Sequence, residues 1–253
     1  MSGVLRDKVV VVTGGTRGIG LAIARRFLDE GAQVAVCGTS ERSVSAARAE
    51  LVNAGDRVAA IVCDVSQKPQ VGRLFAEVRE RWGRLDVCVC GAGVFPFATL
   101  LEASEEHVES TLAVNFKGAL LTSQAAAAAM VEQGAGSIVH IGSMAGIAVD
   151  PEGGLSAYCA SKAAVHLLAM QSAVELAPFG VRVNAIAPGW VATDMNAEIR
   201  NDRELMAKYT RAIPLRRFGR PEEIAAVACF LASDPAKCVT GAIIPVDGGN
   251  LAI

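Results

Sequence analysis

The sequence predicts an α/β protein with a doubly wound, parallel seven-stranded sheet and helices on both faces. Short runs rich in β-branched residues alternate with longer helical patterns, which favours parallel strands joined by crossover helices. Apolar residues make up 52% of the 253 residues and aromatic residues only 5%, a composition suited to helices packed closely on a buried sheet. No linker-like or charge-rich segment divides the chain, so we expect a single domain over residues 1–253.

The first half of the chain predicts four strands and three helices in alternation. Residues 8–13 (KVVVVT) form an uninterrupted valine run, as expected of a strand buried on both faces. The helix that follows, 18–30, ends before Gly31, a residue favoured just after helices. The next predicted elements are strand 33–37, helix 41–53, strand 57–63, helix 67–82 with Gly83 behind it, and strand 86–90.

The second half continues the alternation. The predicted elements are a long helical stretch at 104–132, strand 137–141, helix 157–177 closed by Pro178 and Gly180, strand 181–186, helix 221–231 with Pro221 in its first position, and strand 242–246. The segment at about 190–220 is irregular and polar, and it is too long for a simple βα connection. We therefore expect a substrate lid there.

The charge balance excludes several classes of partner. Twenty-four Lys and Arg residues against 26 Asp and Glu give a net charge of −2, so nucleic acid is not an expected partner. Charges near the N-terminus argue against a signal peptide, and the charge-free stretches 118–131 and 133–149 do not resemble membrane spans. The seven cysteines lack metal-ligand spacing. We interpret them as small buried residues of a cytoplasmic, metal-free protein.

A glycine-rich loop, TGGTRGIG at 13–20, lies between the first predicted strand and the first helix. Glycines permit a tight turn and close approach of the backbone, and the helix N-terminus offers unpaired N–H groups and a positive dipole end. This context predicts a diphosphate of a dinucleotide as the ligand, with an ordinary βα turn as the alternative. Because no GK[ST] sequence ends the loop, a nucleoside-triphosphate site is disfavoured.

The spacing Gly14-x-x-x-Gly18-x-Gly20, together with YCASK at 158–162, resembles the short-chain dehydrogenase/reductase family. The resemblance extends from Lys8 to Gly249 through further motifs in family order, namely Asp64-Val65, Asn115 within VNF, IGS at 141–143, Pro188-Gly189 with Thr193, and VDGG at 246–249. One departure occurs after the fourth strand, where the family usually has Asn-Asn-Ala-Gly and this chain has CGAG at 90–93. The side-chain bracing that the two amides provide is therefore missing.

The resemblance implies a Rossmann fold and four catalytic residues. Tyr158 is implied to act as general acid in reduction and general base in oxidation, while Lys162 lowers the pKa of Tyr158 and holds the nicotinamide ribose. Ser143 is implied to orient the substrate carbonyl, and Asn115 to be the helix-bend residue that positions a water for proton relay. Tyr158 and Lys162 are four residues apart and so share one helix face, where an ammonium favours a phenolate. The competing acid–base candidates, His140 and His166, are interpreted as packing residues.

The resemblance also implies a nicotinamide cofactor. The implied contacts are Gly14, Thr16, Arg17, Gly18, Ile19, Gly20, Thr39, Ser40, Arg42, Asp64, Val65, Cys90, Gly91, Ala92, Tyr158, Lys162, Pro188, Gly189, Val191 and Thr193. No carboxylate stands at 37–40, where NAD-preferring members tend to carry one. Thr39, Ser40 and Arg42, with Arg17, offer hydroxyls and cations for a 2′-phosphate, so NADP(H) is the expected cofactor. Glu41 keeps NAD(H) open.

These residues predict an oxidoreductase that transfers a hydride between NADP(H) and a ketone or secondary alcohol, such as a 3-oxoacyl, β-ketoester, polyol or ketose substrate. The separation of Ser143 from Tyr158, with loop 149–154 between them, is more similar to polyol and ketose reductases than to 3-oxoacyl-carrier-protein reductases. The expected apolar lid residues are Trp190, Met195, Ile199, Leu205, Met206 and Tyr209. Two alternatives remain: a catalytically silent dinucleotide-binding sensor or scaffold, and a sugar-nucleotide epimerase, a class whose chains are usually longer.

The two long helical segments at 105–132 and 157–177 predict an oligomer. Both are apolar nearly all round, and a helix of this kind needs cover on two sides, whereas the sheet covers only one. Family members pair these helices across a two-fold axis. The chain also ends in the apolar sequence LAI, which would gain from burial against a neighbour. We expect a homotetramer built from isologous dimers.

Overall fold

A computed structural model describes residues 3–149 and 153–253. Within these residues the strands are β1 (Val9–Thr13), β2 (Gln33–Gly38), β3 (Val58–Val62), β4 (Val87–Cys90), β5 (Gly136–Ile141), β6 (Val181–Pro188) and β7 (Ile243–Val246). They form one parallel sheet in the order β3-β2-β1-β4-β5-β6-β7. The predicted doubly wound sheet is confirmed, with its strand order reversing between β1 and β4.

The helices of the described chain are α1 (Gly18–Asp29), α2 (Glu41–Glu50), α3 (Lys68–Trp82), α4 (Glu105–Leu112), α5 (Gly118–Gln133), α6 (Ser156–Leu176), α7 (Ala197–Asn201), α8 (Arg203–Ala212) and α9 (Pro221–Ala232). The predicted helical stretch at 104–132 is two helices, α4 and α5, joined by a π-helical turn at Ala113–Lys117. The predicted irregular segment 190–220 contains two helices, α7 and α8, that the sequence interpretation missed.

The sheet separates two apolar layers. Alternate side chains of β1 belong to different layers: Val10 and Val12 pack with α1 and α9, whereas Val9 and Val11 pack with α3, α5 and α6. All four valines are buried, as the uninterrupted valine run predicts. This packing fixes the carboxyl ends of the strands as a rigid edge from which the site is built.

Neither a membrane span nor a metal cluster is found in residues 3–149 and 153–253. No helix there combines the length and apolar character needed to cross a bilayer. No group of three His, Cys, Asp or Glu side chains in that part is arranged to hold a metal ion. Cys37, Cys88 and Cys90 are buried in the sheet, in line with their interpretation as small apolar side chains. Residues 150–152 of the predicted loop 149–154 lie outside the described residues.

Candidate active site

A cleft of about 390 Å³ lies along the carboxyl edge of the sheet. It extends from the glycine loop and the end of β2, past the turn after β4, to Tyr158 and Lys162 on α6. This is where open α/β sheets bind their ligands, because the helices diverge to opposite faces where the strand order reverses. The volume falls in the range of small-molecule and cofactor sites, roughly 300–1,000 Å³.

The N-terminus of α1 is open to an anion. No side chain caps it, and its first turn contains no acidic residue. Gly14 has φ +67°, and a Cβ there would lie 2.8 Å from the carbonyl oxygen of Gly91, so the loop after β1 passes directly against the turn after β4. Unpaired N–H groups and the positive helix end suit a diphosphate, and the site therefore fits a dinucleotide cofactor.

Thr13 braces the turn after β4, where the usual amide pair is absent. Its Oγ1 accepts hydrogen bonds from the backbone N–H groups of Gly91 (3.1 Å) and Ala92 (3.4 Å) and donates one to the carbonyl of Val89. The thiol of Cys90 points away from the cleft, with its Sγ 3.6 Å from Ser123 Oγ on α5. The turn after β4 is thus held by β1 through Thr13.

Ser143, Tyr158 and Lys162 lie together at the other end of the cleft. Ser143 and Tyr158 face the same part of the cleft, and the Ser143 hydroxyl is close enough to the phenol to influence its pKa. The Nζ atom of Lys162 lies 5.7 Å from the centre of the Tyr158 ring and donates a hydrogen bond to the carbonyl oxygen of Ile141 at 3.0 Å. Ser143 lies two residues after the end of β5 and the other two residues lie on α6, so the packing of α6 on the sheet assembles the group.

Asn115 is buried in the π-helical turn and does not line the cleft. Its Oδ1 accepts from the N–H of Val94 (2.8 Å), and its Nδ2 donates to the carbonyl of Val94 and to Ser161 Oγ, both at 3.0 Å. The amide therefore ties the segment after β4 to α6. Short π-helical insertions frequently occur at functional sites, and this one places Asn115 against Ser161, the residue before Lys162.

Comparisons with known proteins agree with this geometry. The family model described as enoyl-(acyl carrier protein) reductase matches residues 14–250. The chain is 42% identical to galactitol 2-dehydrogenase (L-tagatose-forming) of Cereibacter sphaeroides over 94% of this chain and 92% of that protein. It is 39% identical to L-rhamnose 1-dehydrogenase (NAD(P)(+)) of Azotobacter vinelandii over 97% of each. The structure of a short-chain type dehydrogenase/reductase from Mycobacterium marinum superposes with a TM-score of 0.94 at 36% identity, covering 98% of this chain and 97% of that one.

The chain belongs to the short-chain dehydrogenase/reductase family. As a member of that family it is an NAD(P)-dependent oxidoreductase that acts on CH–OH groups. When bound, the nicotinamide supplies or accepts the hydride. The chain's own residues hold the cofactor, bind the substrate oxygen and move the proton.

Most residues predicted for the site line the cleft of this short-chain dehydrogenase/reductase. They are Gly14, Thr16, Arg17, Gly18, Ile19, Gly20, Thr39, Ser40, Asp64, Val65, Gly91, Ala92, Ser143, Tyr158, Lys162, Pro188, Gly189, Val191 and Thr193. Arg42, Cys90 and Asn115 are not among the lining residues. Arg42 is exposed on α2. Ser40 caps this helix, and Ser43, three residues after the cap, is the residue of α2 that lines the cleft.

The pKa values of Tyr158 and Lys162 define the resting state of the two side chains. Burial raises the pKa of Tyr158 to about 12, against the opposing effect of the Ser143 hydroxyl. Burial lowers the pKa of Lys162 to about 8. The shift at Tyr158 is opposite to the lowering expected from Lys162, because loss of solvent outweighs the effect of an ammonium that is directed at Ile141. Without cofactor, Tyr158 is thus a neutral phenol at physiological pH.

The sequence did not predict the contacts of two residues near the catalytic group, His166 and Phe95. His166 is buried, and its Nε2 accepts a hydrogen bond from the backbone N–H of Ser143 at 3.4 Å, so it is more than a packing residue. Phe95 lines the cleft with its ring edge-on to Tyr158, at 4.7 Å between ring centres.

Of the predicted lid residues, Trp190 and Met195 line the cleft, and Tyr209 contacts Trp190. Ile199, Leu205 and Met206 do not line it. No periodicity signals these contacts, because they join segments distant in sequence.

Proposed function

We propose that the protein is an NADP(H)-dependent reductase of ketones, and dehydrogenase of the corresponding secondary alcohols. The observation that carries this proposal is the convergence of Ser143, Tyr158 and Lys162 at one end of a cleft that begins at an uncapped helix N-terminus. Two hydroxyls that face the same part of a cleft can both turn to one substrate oxygen, and this is what carbonyl reduction requires.

Tyr158 donates the proton in this proposal. Its neutral phenol transfers a proton to the substrate oxygen as negative charge develops there, while the hydroxyl of Ser143 donates a hydrogen bond to the same oxygen. Lys162 holds the nicotinamide ribose hydroxyls when the cofactor is bound, in place of the carbonyl of Ile141. Asn115 keeps the neighbouring backbone in position through Val94 and Ser161.

The preference for NADP(H) is supported by the polar groups at the other end of the cleft. Thr39 and Ser40 line it beside the exposed guanidinium of Arg17, and the same region includes Ser43. Glu41, the residue that would favour NAD(H), is exposed and outside the lining. Hydroxyl donors and a guanidinium suit a 2′-phosphate, whereas a ribose diol calls for a carboxylate acceptor.

We further propose one domain with segment 190–220 as its substrate lid, in a homotetramer of the cytoplasm. Support for the assembly comes from apolar side chains left uncovered in the single chain. On α6, Leu167 is 66% exposed and Val174 is 71% exposed, and they lie on one helix face with Met170. Ile253 at the chain end is 87% exposed. Such surfaces fit contacts between copies.

A carbonyl screen tests the proposed function. Purified protein is mixed with NADPH or NADH and with ketones, β-ketoesters, ketoses and 3-oxoacyl thioesters, and the oxidation of the cofactor is followed. The proposal predicts carbonyl-dependent oxidation that is faster with NADPH. Oxidation of neither cofactor with any carbonyl would contradict the proposed reaction, and a preference for NADH would contradict the cofactor assignment alone.

A further inference from the structure

The substrate end of the cleft is bordered by a continuous aromatic cluster. Phe95 lies edge-on to Tyr158, and its ring centre is 6.5 Å from that of Trp190. Trp190 in turn stacks on Phe218 at 5.7 Å and contacts Tyr209 of α8 at 4.5 Å. Both tyrosines of the chain and one of its two tryptophans belong to this cluster. In a chain so poor in aromatic residues, their collection beside the proton donor indicates a role in binding.

The lining next to this cluster is largely apolar, with Thr193, Asp194 and Asn196 as the polar residues of the lid segment. Val94, Met144, Leu155 and Met195 contribute to the cleft around Tyr158 and the lid segment. Leu155 is held there by a backbone bridge to Ala98 in the segment that follows Phe95. A substrate whose oxygen lies on Tyr158 therefore meets apolar side chains in its immediate surroundings.

The amide side chains beside this apolar lining are already occupied. The Oδ1 of Asn196 accepts from the N–H of Thr193 at 3.2 Å, and its Nδ2 donates to the carbonyl of Val191 at 2.7 Å. Asn115 is likewise engaged with Val94 on both atoms of its amide. A polyhydroxylated substrate loses hydrogen bonds to water when it binds and needs replacements from the protein, and these two amides do not offer them.

We infer that the substrate carries an apolar, ring-sized group beside its reacting carbon, and that Phe95 and Trp190 bind this group. The inference rests on the proposed function and specifies its substrate class as aryl or cyclic ketones and the matching secondary alcohols. Aromatic side chains bind flat apolar groups through edge and face contacts at little entropic cost, because their own rings are rigid. Phe95 is thus a specificity-determining residue, placed against Tyr158 so that ring and carbonyl are positioned together.

Steady-state kinetics with NADPH compare acetophenone, cyclohexanone and a ketohexose on wild type and three variants. We expect kcat/KM for the two apolar ketones to exceed that for the ketohexose at least tenfold. Phe95→Ala should raise KM for the apolar ketones about 10- to 100-fold, the range for losing an apolar pocket contact, and leave KM for NADPH unchanged. Phe95→Leu, which keeps apolar bulk without the ring, should lie between. Phe97→Ala is the matched control, since Phe97 is 67% exposed on the same segment and outside the cleft lining.

Calorimetry separates this inference from the proposed reaction. Enzyme loaded with NADP⁺ binds a ketone without turnover, because no hydride is available in that complex. Tighter binding of cyclohexanone than of the ketohexose, lost in Phe95→Ala and kept in Phe97→Ala, supports the inference even if no carbonyl is reduced. Tighter binding of the ketohexose, equal losses in the two alanine variants, or binding of neither compound overturns it, while turnover of other carbonyls would leave the proposed function standing.

Discussion

His166 accepts a hydrogen bond through Nε2 from the backbone N–H of Ser143, at 3.4 Å. A Cβ at Gly142 would lie 2.1 Å from this nitrogen, so the imidazole fits only because residue 142 is glycine. Burial, and then the charge of Lys162, lowers the pKa of His166 to about 4. The ring is therefore neutral at physiological pH, which keeps Nε2 available as an acceptor.

We expect His166 to act as a positioning residue for Ser143. His166→Leu removes the acceptor and should lower kcat about tenfold, since a buried N–H without a partner costs roughly 1–3 kcal/mol and can shift to find another. His166→Gln places an amide oxygen near the position of Nε2 and should restore most of kcat, whereas His166→Asn does not reach it. KM for the cofactor should be unchanged in all three. Equal kcat values for the Gln and Leu variants would show that the ring only fills space.

The buried ammonium of Lys162 should cost stability. Its pKa is about 8 when folded and 10.5 when exposed, so the unfolded state binds more protons between these values and stability rises with pH there. Lys162→Met should therefore abolish activity yet raise the free energy of unfolding at pH 7 by about 2–3 kcal/mol. Urea unfolding measures this. The gain should vanish near pH 10.5, and a Met variant less stable than wild type at pH 7 would refute the prediction.

Arg17 and Arg42 form a matched pair for the cofactor assignment, because both are exposed but only Arg17 lines the cleft. Arg17→Ala should raise KM for NADPH about tenfold or more through loss of charge-assisted hydrogen bonds to the 2′-phosphate, with little effect on NADH. Arg42→Ala should change neither. If Arg42→Ala instead raises KM for NADPH as much as Arg17→Ala does, the placement of α2 relative to the cofactor is wrong.

Light scattering at micromolar concentration tests the assembly. The apolar face of α6 and the exposed chain end predict a tetramer, and the monomer mass of 26.2 kDa sets the scale. The double substitution Leu167→Glu, Val174→Glu on α6 should lower the measured mass, because each subunit would then bury two charges at the interface. A wild-type monomer would disprove the assembly, and a dimer would remove only the contact proposed for the C-terminus.

The sheet and much of the site could be predicted because they depend on local sequence. The valine run, the glycine loop and the i, i+4 pair of Tyr158 and Lys162 can each be recognised in the sequence without knowledge of the tertiary structure. The family resemblance places a helix bend at Asn115, but the π-helical form of the turn was not predicted, because its neighbours continue a helical periodicity on both sides.

Contacts between distant segments could not be predicted in the same way. Arg42 was predicted at the cofactor because it is a cation just after the second strand, yet Ser43, and not Arg42, is the residue of α2 that lines the cleft. His166 was interpreted as packing because its helix neighbours are apolar, and only the approach of α6 to the end of β5 shows its bond to Ser143. Phe95 carries no motif at all, and its position beside Tyr158 follows from the way Asn115 holds Val94.

In the proposed reaction, Tyr158 is the proton donor of a nicotinamide-dependent carbonyl reduction. The most direct measurement is kcat for Tyr158→Phe with the best carbonyl of the screen, together with the Kd of NADPH for the same variant. We expect a fall in kcat of roughly 10²–10⁴-fold with the NADPH Kd nearly unchanged, because the phenol supplies the proton and not the binding energy. Turnover by Tyr158→Phe at close to the wild-type rate would contradict it.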